Sequence, residues 1–396
     1  MVLKIKFRAL LSICGEPIEN GELILEDGNI LEVCSRVSER KTEETLDLSD
    51  QLLMPGFINA HSHLGLTALA NKLTPSNSFA GWIRDLIPVN SALTDEERIR
   101  GIHKGANEMK CSGVTGLADY VADSSLLEPM GGLGFRSILF KEVIGFPEKR
   151  AEELACEMEE ALKVQGEKWK VGIAPHAPYS VSGKLFRKLY ELSKKYGCLV
   201  STHLAETFEE VQFLKKGEGP LIDLLKEREA FDESWHPPET SPVQYLKSLG
   251  AIHEMIAVHC NYVDDDFNSV GAAVYCPKST QWFGRSKILP VRKMLDVGIP
   301  VALGTDSMAS NDSLSFLDEI RTADKLLPDV SRKEILRMAT LNGAEILKFP
   351  CGKIEPGQKA DLIGFKISPD FRGDWQDIPF EPLRKGVDFY MVGGKY

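Results

Sequence analysis

The sequence has no hydrophobic run as long as a membrane-spanning helix needs, and its first residues lack the apolar core and cleavage site of a signal peptide. Positive charge is also scarce: 47 Lys and Arg stand against 58 Asp and Glu, a formal net charge of −11. Nucleic acids and anionic membranes are bound through basic surfaces, so we expect neither as a partner. A small molecule is the better expectation.

The eight cysteines among the 396 residues form no CxxC pair and are too sparse for a disulfide framework. Their distribution predicts a reducing, cytoplasmic location. A hydrophobic content of 43% and a charged content of 27% are ordinary for a globular protein. The length suffices for a barrel of roughly 250 residues with a smaller domain beside it. Whether the protein is a homo-oligomer is left open.

The segment 55–64 reads PGFINAHSHL, an apolar run that ends in two histidines. Because side chains alternate along a strand, His61 and His63 point to the same side, as two ligands of one metal ion would. Taken alone, the pair fits two core histidines equally well. Further strand-like runs favour the metal site, because each ends in a residue that such a site needs: His176, His203, His259 and Asp306.

Two kinds of pattern divide the chain. Residues 1–50 and 353–396 contain short alternating runs, with a hairpin signal at Asp27-Gly28, and we expect them to form one composite β-sandwich domain. Residues 51–352 alternate strand and helix patterns, an α/β arrangement that predicts a (β/α)8 barrel of the TIM type with its site at the carboxyl ends of the strands. The candidate strands lie near 53–60, 114–119, 137–143, 171–175, 198–202, 255–258, 272–276 and 300–304.

Helix starts are marked by two capping boxes, at Thr94 to Glu97 and Ser331 to Glu334. Two segments do not fit the plain repeat, 77–86 with its aromatic residues and 213–250 with its charges and prolines. We expect both to shape the rim of the pocket.

Six segments together resemble the amidohydrolase superfamily, and in particular its metal-dependent aminohydrolase branch of nucleoside deaminases and related chlorohydrolases. They are PGFINAHSHL (55–64), APHAPYSVS (174–182), STHLAET (201–207), VHCNYV (258–263), CPKST (276–280) and LGTDSMASNDSLSFLDEIR (303–321). The resemblance implies one divalent metal ion held by His61, His63, His203 and Asp306. Three imidazoles and a carboxylate suit zinc best, with iron or manganese as alternatives.

Binuclear members of the superfamily carry a carboxylated lysine or a glutamate at the end of the fourth strand. This chain has His176 there, and Lys141 falls on the third strand. The resemblance therefore implies a mononuclear site.

The resemblance also implies the catalytic roles. Asp306 is expected to take a proton from the attacking water, Glu206 to protonate a ring nitrogen of an aminopurine, and His259 to orient the water and stabilise the tetrahedral adduct. Substrate contacts are expected from His176, Trp82, Glu142 and Glu206. The alternatives are a partner of another site residue for His176, a packing residue for Trp82 and a loop cap for Glu142. No role is assigned to His103, His236 or His253.

The expected reaction is hydrolytic deamination of an adenine-containing nucleoside. Segments 82–87 and 241–246 resemble aminofutalosine deaminases, which convert 6-amino-6-deoxyfutalosine to futalosine in menaquinone biosynthesis. The alternatives are S-adenosylhomocysteine, methylthioadenosine or adenosine deamination, followed by guanine deamination, chlorohydrolysis and cyclic amide hydrolysis. A non-catalytic scaffold is disfavoured because all the expected ligands and proton-transfer groups are present.

Overall fold

The computed structural model describes residues 1–76, 78–252 and 254–396, so that His253 and the first residue of the 77–86 segment lie outside the described residues. The strands are β1 (Val2–Leu10), β2 (Ile18–Glu26), β3 (Asn29–Cys34), β4 (Glu44–Pro55), β5 (Phe57–Ser62), β6 (Val114–Val121), β7 (Arg136–Val143), β8 (Trp169–Pro175), β9 (Val200–Leu204), β10 (Met255–His259), β11 (Ala272–Tyr275), β12 (Val301–Leu303), β13 (Leu362–Lys366) and β14 (Phe389–Met391).

The α-helices flank the strands of the central region. They are α1 (Phe79–Ser91), α2 (Asp95–Cys111), α3 (Leu127–Gly131), α4 (Ala151–Ala161), α5 (Gly183–Tyr196), α6 (Phe208–Lys216), α7 (Pro220–Glu227), α8 (Pro242–Ser248), α9 (Pro277–Trp282), α10 (Val291–Asp296), α11 (Phe316–Leu326), α12 (Arg332–Ala339) and α13 (Leu341–Ile346). Both predicted capping boxes are present, at the starts of α2 and α12. No described helix is both long enough and apolar enough to span a membrane.

The strands form two separate sheets. One is a mixed sheet built from both ends of the chain, in the order β14-β13-β4-β1-β2-β3. The predicted hairpin joins β2 to β3, and Asp27 and Gly28 both have positive φ, as a tight hairpin turn of this twist requires. The sheet includes β4 up to Pro55, so it continues past residue 50. The division into two domains stays a prediction.

The other sheet contains β5 to β12 in chain order, with every pair parallel. Its strands are buried along most of their length, because a parallel strand is covered on both faces. Alternate residues of successive strands fill the interior, among them Ile58, Ala118, Phe140, Val258 and Val274. The predicted eight-stranded barrel with a separate sheet from both termini is confirmed.

The barrel closes where β12 meets β5. The amides of Thr305 and Asp306 donate to the carbonyl of His61 at 3.0 and 3.1 Å. A Cβ at Gly304 would lie 2.9 Å from both the Cβ and the carbonyl oxygen of His61, so that only glycine allows this approach. Closure therefore places the two ends of the barrel sequence, His61 and Asp306, side by side.

Candidate metal centre and active site

The predicted metal ligands meet at the carboxyl ends of the barrel strands. His61 is the last residue but one of β5, and His63 directly follows the strand. The Nε2 atom of each lies 3.8 Å from Oδ1 of Asp306. His203 of β9 lies against both, with ring centroids 5.1 Å from His61 and 5.4 Å from His63. The structure thus brings together the four residues that the sequence pattern selected.

Hydrogen bonds orient the ligands from behind. Nδ1 of His203 lies 3.0 Å from the carbonyl of His176, which places the proton on Nδ1 and leaves the Nε2 lone pair free. The hydroxyls of Ser279 and Ser310 donate to Oδ2 of Asp306 at 2.6 and 2.9 Å. The other oxygen, Oδ1, is the one that faces the histidines.

The donor set fits a divalent metal ion. His61 is fully buried, yet neither of its ring nitrogens has a hydrogen-bond partner among the described residues. An unpaired buried polar atom is costly, and a metal ion would satisfy Nε2. Burial also lowers the pKa of His61 and His203, and it lowers that of His63 to about 4, so that all three are neutral, the form in which imidazole binds metals.

The strand ends carry backbone strain. Ala205, His259, Cys260 and Asp306 all have positive φ, between 46 and 74°. Residues other than glycine rarely adopt this backbone conformation, and when they do they are often found at functional sites. Here it turns the chain at the ends of β9, β10 and β12, from which the side chains of Glu206, His259 and Asp306 reach the site.

Glu206 lies beside this cluster and is buried. Its Oε1 accepts a hydrogen bond from Nη2 of Arg285 at 2.7 Å, and its Oε2 lies 3.9 Å from Nε2 of His259. Burial raises the pKa of Glu206 to about 7, although Arg285 opposes the shift. A carboxyl group with this pKa can both hold and release a proton near neutral pH.

A cavity of about 550 Å³ opens above the cluster. This volume is typical of small-molecule sites. All the predicted site residues line it except His61, which lies beneath: the lining includes His63, Trp82, Glu142, His176, His203, Glu206, His259 and Asp306. An apolar wall completes it, formed by Leu66, Ile83, Leu86, Ile87, Leu126, Met130 and Ile144.

The three predicted substrate contacts other than Glu206 have different surroundings. Trp82 donates from Nε1 to the carbonyl of Ala309 at 3.2 Å, which fixes its ring in the wall. Nδ1 of His176 lies 2.6 Å from the hydroxyl of Ser180, and Nε2 lies 3.9 Å from Oε1 of Glu142. Glu142 and His176 therefore form a polar pair in the lining of the cavity that Glu206 also lines.

Lys141 lies outside this cavity. Its ammonium group donates to the carbonyls of Ala122 and Glu142 at 2.7 and 2.8 Å. It lines a separate, smaller cavity. This position agrees with an ordinary lysine near a strand end, and the mononuclear site stays a prediction.

The expectation that segment 213–250 forms the rim was wrong. Among the described residues that line the cavity, none comes from this segment. Its apolar side chains instead pack behind α1, where Phe213, Leu221 and Leu224 share one cluster with Phe79 and Trp82. The segment supports the wall from outside because its helices bury their apolar faces against α1.

Several residues that contact the site were not predicted from the sequence. Ser279, Ser310 and Arg285 contact the predicted catalytic residues, and Glu210 accepts hydrogen bonds from the amides of Ala205 and Glu206 at 2.9 and 3.0 Å. The only signal was position, since Ser279 lies in the CPKST segment and Ser310 follows Asp306 closely. Nothing in the sequence marked Arg285.

The amidohydrolase family model matches residues 52–395. The chain belongs to the amidohydrolase family. It is 30% identical to the 5-methylthioadenosine/S-adenosylhomocysteine deaminase of Pyrococcus abyssi, over 96% of this chain and 89% of the relative.

Two solved structures show the same amidohydrolase fold. Helicobacter pylori aminofutalosine deaminase in complex with methylthio-coformycin superposes with a TM-score of 0.87 at 22% identity, covering 100% of this chain and 99% of that one. A Xanthomonas campestris adenosine deaminase with bound zinc gives a TM-score of 0.80 at 24% identity, covering 99% and 92%.

Proposed function

We propose that this amidohydrolase is a metal-dependent hydrolytic deaminase of adenine nucleosides. The observation that carries the proposal is the pairing of two sites in one cavity: a neutral three-histidine, one-carboxylate cluster, and a buried glutamate with a pKa near 7 beside it. The full-length similarity to a methylthioadenosine and S-adenosylhomocysteine deaminase supports the same chemistry.

His61, His63, His203 and Asp306 would hold one divalent ion, for which zinc is the first candidate and iron or manganese the alternatives. When bound, the ion supplies Lewis acidity that makes water a better nucleophile at neutral pH. His259 lies 5.5 Å from His203 between ring centroids and also faces this cluster. We assign it to orientation of the water, because it lies next to both the proposed ligand His203 and the proposed proton donor Glu206.

The proposed proton transfers use two carboxylates. Asp306 accepts a proton from the attacking water, through the side of the carboxylate that Ser279 and Ser310 leave free. Glu206 donates a proton to a purine ring nitrogen, which makes the neighbouring carbon electrophilic. Water then adds to the carbon that carries the amino group, the carbon–nitrogen bond breaks, and the products are the oxopurine nucleoside and ammonia.

The choice of nucleoside has two candidates. The relative at 30% identity favours methylthioadenosine or S-adenosylhomocysteine. The resemblance of segment 82–87 favours 6-amino-6-deoxyfutalosine and a role in menaquinone biosynthesis, and Ile83, Leu86 and Ile87 of that region line the cavity. An apolar wall suits either a thioether or an aromatic substituent on the ribose.

Ammonia release by zinc-loaded protein tests the proposal for the nucleosides and guanine. Ring opening is measured instead for the cyclic amide, because hydrolysis of a ring amide keeps its nitrogen in the product. The panel is 6-amino-6-deoxyfutalosine, S-adenosylhomocysteine, methylthioadenosine, adenosine, guanine and a cyclic amide, with the metal-free protein as control. We expect one adenine nucleoside to have a clearly higher kcat/KM than the others. That nucleoside decides between the two candidate substrates. No ammonia from any adenine nucleoside would contradict the proposed function, and turnover of the cyclic amide would replace it.

A further inference from the structure

Glu206, which lines the cavity, forms a buried ion pair with Arg285. The Glu206 side chain is 7% exposed and the Arg285 side chain 10% exposed. A guanidinium buried to this extent loses its hydration, and the attraction within one ion pair often does not offset that cost. Because Arg285 contacts the proposed proton donor, we considered a functional role for the pair.

The pair divides the two oxygens of Glu206 between different surroundings. Oε1 is occupied by Nη2 of Arg285 at 2.7 Å. Among the described residues Oε2 has no such donor, and it lies 3.9 Å from Nε2 of His259. Glu206 and His259 both line the cavity, whereas Arg285 is absent from the described lining residues. Arg285 thus acts on Glu206 from behind.

The guanidinium is itself held in place by two aromatic rings. Its central carbon lies 4.4 Å from the ring centroid of Phe283 and 5.3 Å from that of Phe79. Stacking of this kind suits the planar guanidinium and not the compact ammonium of lysine. Phe79 is anchored in turn, because its amide donates to Glu209 at 2.8 Å.

We propose that Arg285 is a positioning residue for the deamination: it fixes one oxygen of Glu206 so that the other oxygen presents its proton to the purine ring nitrogen. The inference rests on the proposed function, since it assigns Arg285 to the proton donor of that reaction. Without Arg285 the carboxyl group can rotate toward other acceptors in the cavity, and fewer bound substrates meet it in the reactive orientation.

The test compares Arg285→Met, Arg285→Lys, Glu206→Gln and the double variant E206Q/R285M with wild type. Each is measured for kcat and KM across pH on the best nucleoside of the panel, together with zinc content and melting temperature. The matched control is Arg136→Met, which breaks another largely buried Arg–carboxylate pair, the one with Asp361, outside the cavity.

We expect R285M to lower kcat by about tenfold or more, with a smaller effect on KM and full zinc content. R285K should recover part of kcat, because it keeps the charge but loses the planar stacking. In the E206Q background, R285M should change kcat by less than about twofold, since the group on which it acts is gone. R136M should lose stability but keep kcat.

The pH profile gives an independent readout. Arg285 lowers the pKa of Glu206 against the effect of burial, so its removal should raise that pKa and move the alkaline limb of kcat to higher pH. The other charged or titratable groups around Glu206 are unchanged in the variant, so they do not contribute to the difference: Glu210, His176, His259 and Asp306.

The inference is overturned if R285M keeps kcat within about twofold of wild type with the same pH profile, or if it lowers kcat equally in the E206Q background. If R285M does not fold, R285K decides: an unchanged kcat and pH profile overturn the inference. Failure of the proposed function is distinguishable, because in that case the wild-type protein itself releases no ammonia from the nucleosides.

Discussion

Asp119 accepts a hydrogen bond from the hydroxyl of Ser62 at 2.6 Å and another from the amide of Leu64 at 2.8 Å. These two donors flank His63 in the sequence. Asp119 is fully buried on the neighbouring strand β6, so the two bonds fix the backbone at the end of β5, next to the proposed metal ligands His61 and His63.

The first prediction concerns metal retention. Asp119→Ala should weaken zinc binding by about 10- to 100-fold, because the supports of metal ligands typically contribute that much. Zinc per chain after dialysis against a graded chelator measures the loss. His61→Ala, which removes a ligand, gives the lower reference, and Asp123→Ala is a control at a nearby carboxylate of the cavity wall. Wild-type zinc retention in the Asp119 variant would refute this role.

The second prediction separates the two proton-transfer residues. Glu206→Gln and Asp306→Asn should each lose activity by about 10²–10⁴-fold, because each lacks a group that transfers a proton. Only the Asp306 variant should also lose zinc, since only Asp306 faces His61 and His63. Steady-state kinetics with elemental analysis tests both. Near-normal turnover in either variant, on the best nucleoside, contradicts its assigned role.

The third prediction concerns the contact between the barrel and the terminal sheet. Asp361 precedes β13, its side chain is 1% exposed, and it accepts hydrogen bonds from Arg136 at 2.8 and 3.1 Å and from the amide of Gly393 at 2.7 Å. Asp361→Ala leaves Arg136 partly buried and unpaired, which should cost about 3–5 kcal/mol in the free energy of unfolding.

Urea unfolding at fixed zinc concentration measures this change. Arg100→Gln is the control, since Arg100 pairs with Glu96 on the exposed face of α2 and no measurable change is expected there. Equal stability of the Asp361 variant and wild type would show that the two sheets do not depend on this pair.

The fourth prediction is a pH dependence of stability. Burial raises the pKa of Glu210 and of Glu319 from 4.5 to about 8. A carboxyl group whose pKa is raised on folding contributes its stability fully below about pH 4.5 and loses it as the pH rises through about 8. The free energy of unfolding of the metal-free protein should therefore fall between about pH 6 and about pH 9.

Glu319→Gln should make that decline shallower, because glutamine has no proton to lose. The charged groups that act on Glu319 are Lys278 and Asp306, and both are kept in the variant. Urea unfolding of wild type and variant at both pH values gives the comparison. An unchanged slope would mean that Glu319 does not titrate in this range.

The local sequence was sufficient for the barrel strands, and with the family resemblance it indicated the proposed ligand set. Each proposed ligand or catalytic residue lies at or just after the end of a barrel strand. Alternation along β5 and the common carboxyl edge of a parallel barrel therefore already predict that they lie together. The hairpin at Asp27-Gly28 and both capping boxes are similarly local, since their hydrogen bonds join residues close in sequence.

What the sequence could not determine depends on contacts between distant segments. Arg285 meets Glu206 across 79 positions and Ser62 meets Asp119 across 57, and both pairs exist only because folding brings these segments together. The role of segment 213–250 was misjudged for the same reason: its apolar residues predict burial but do not say against what. The sequence alone determined which residues can bind a metal ion and move protons, because that is side-chain chemistry; the tertiary structure decided which buried partners hold them, because those partners are brought together by folding alone.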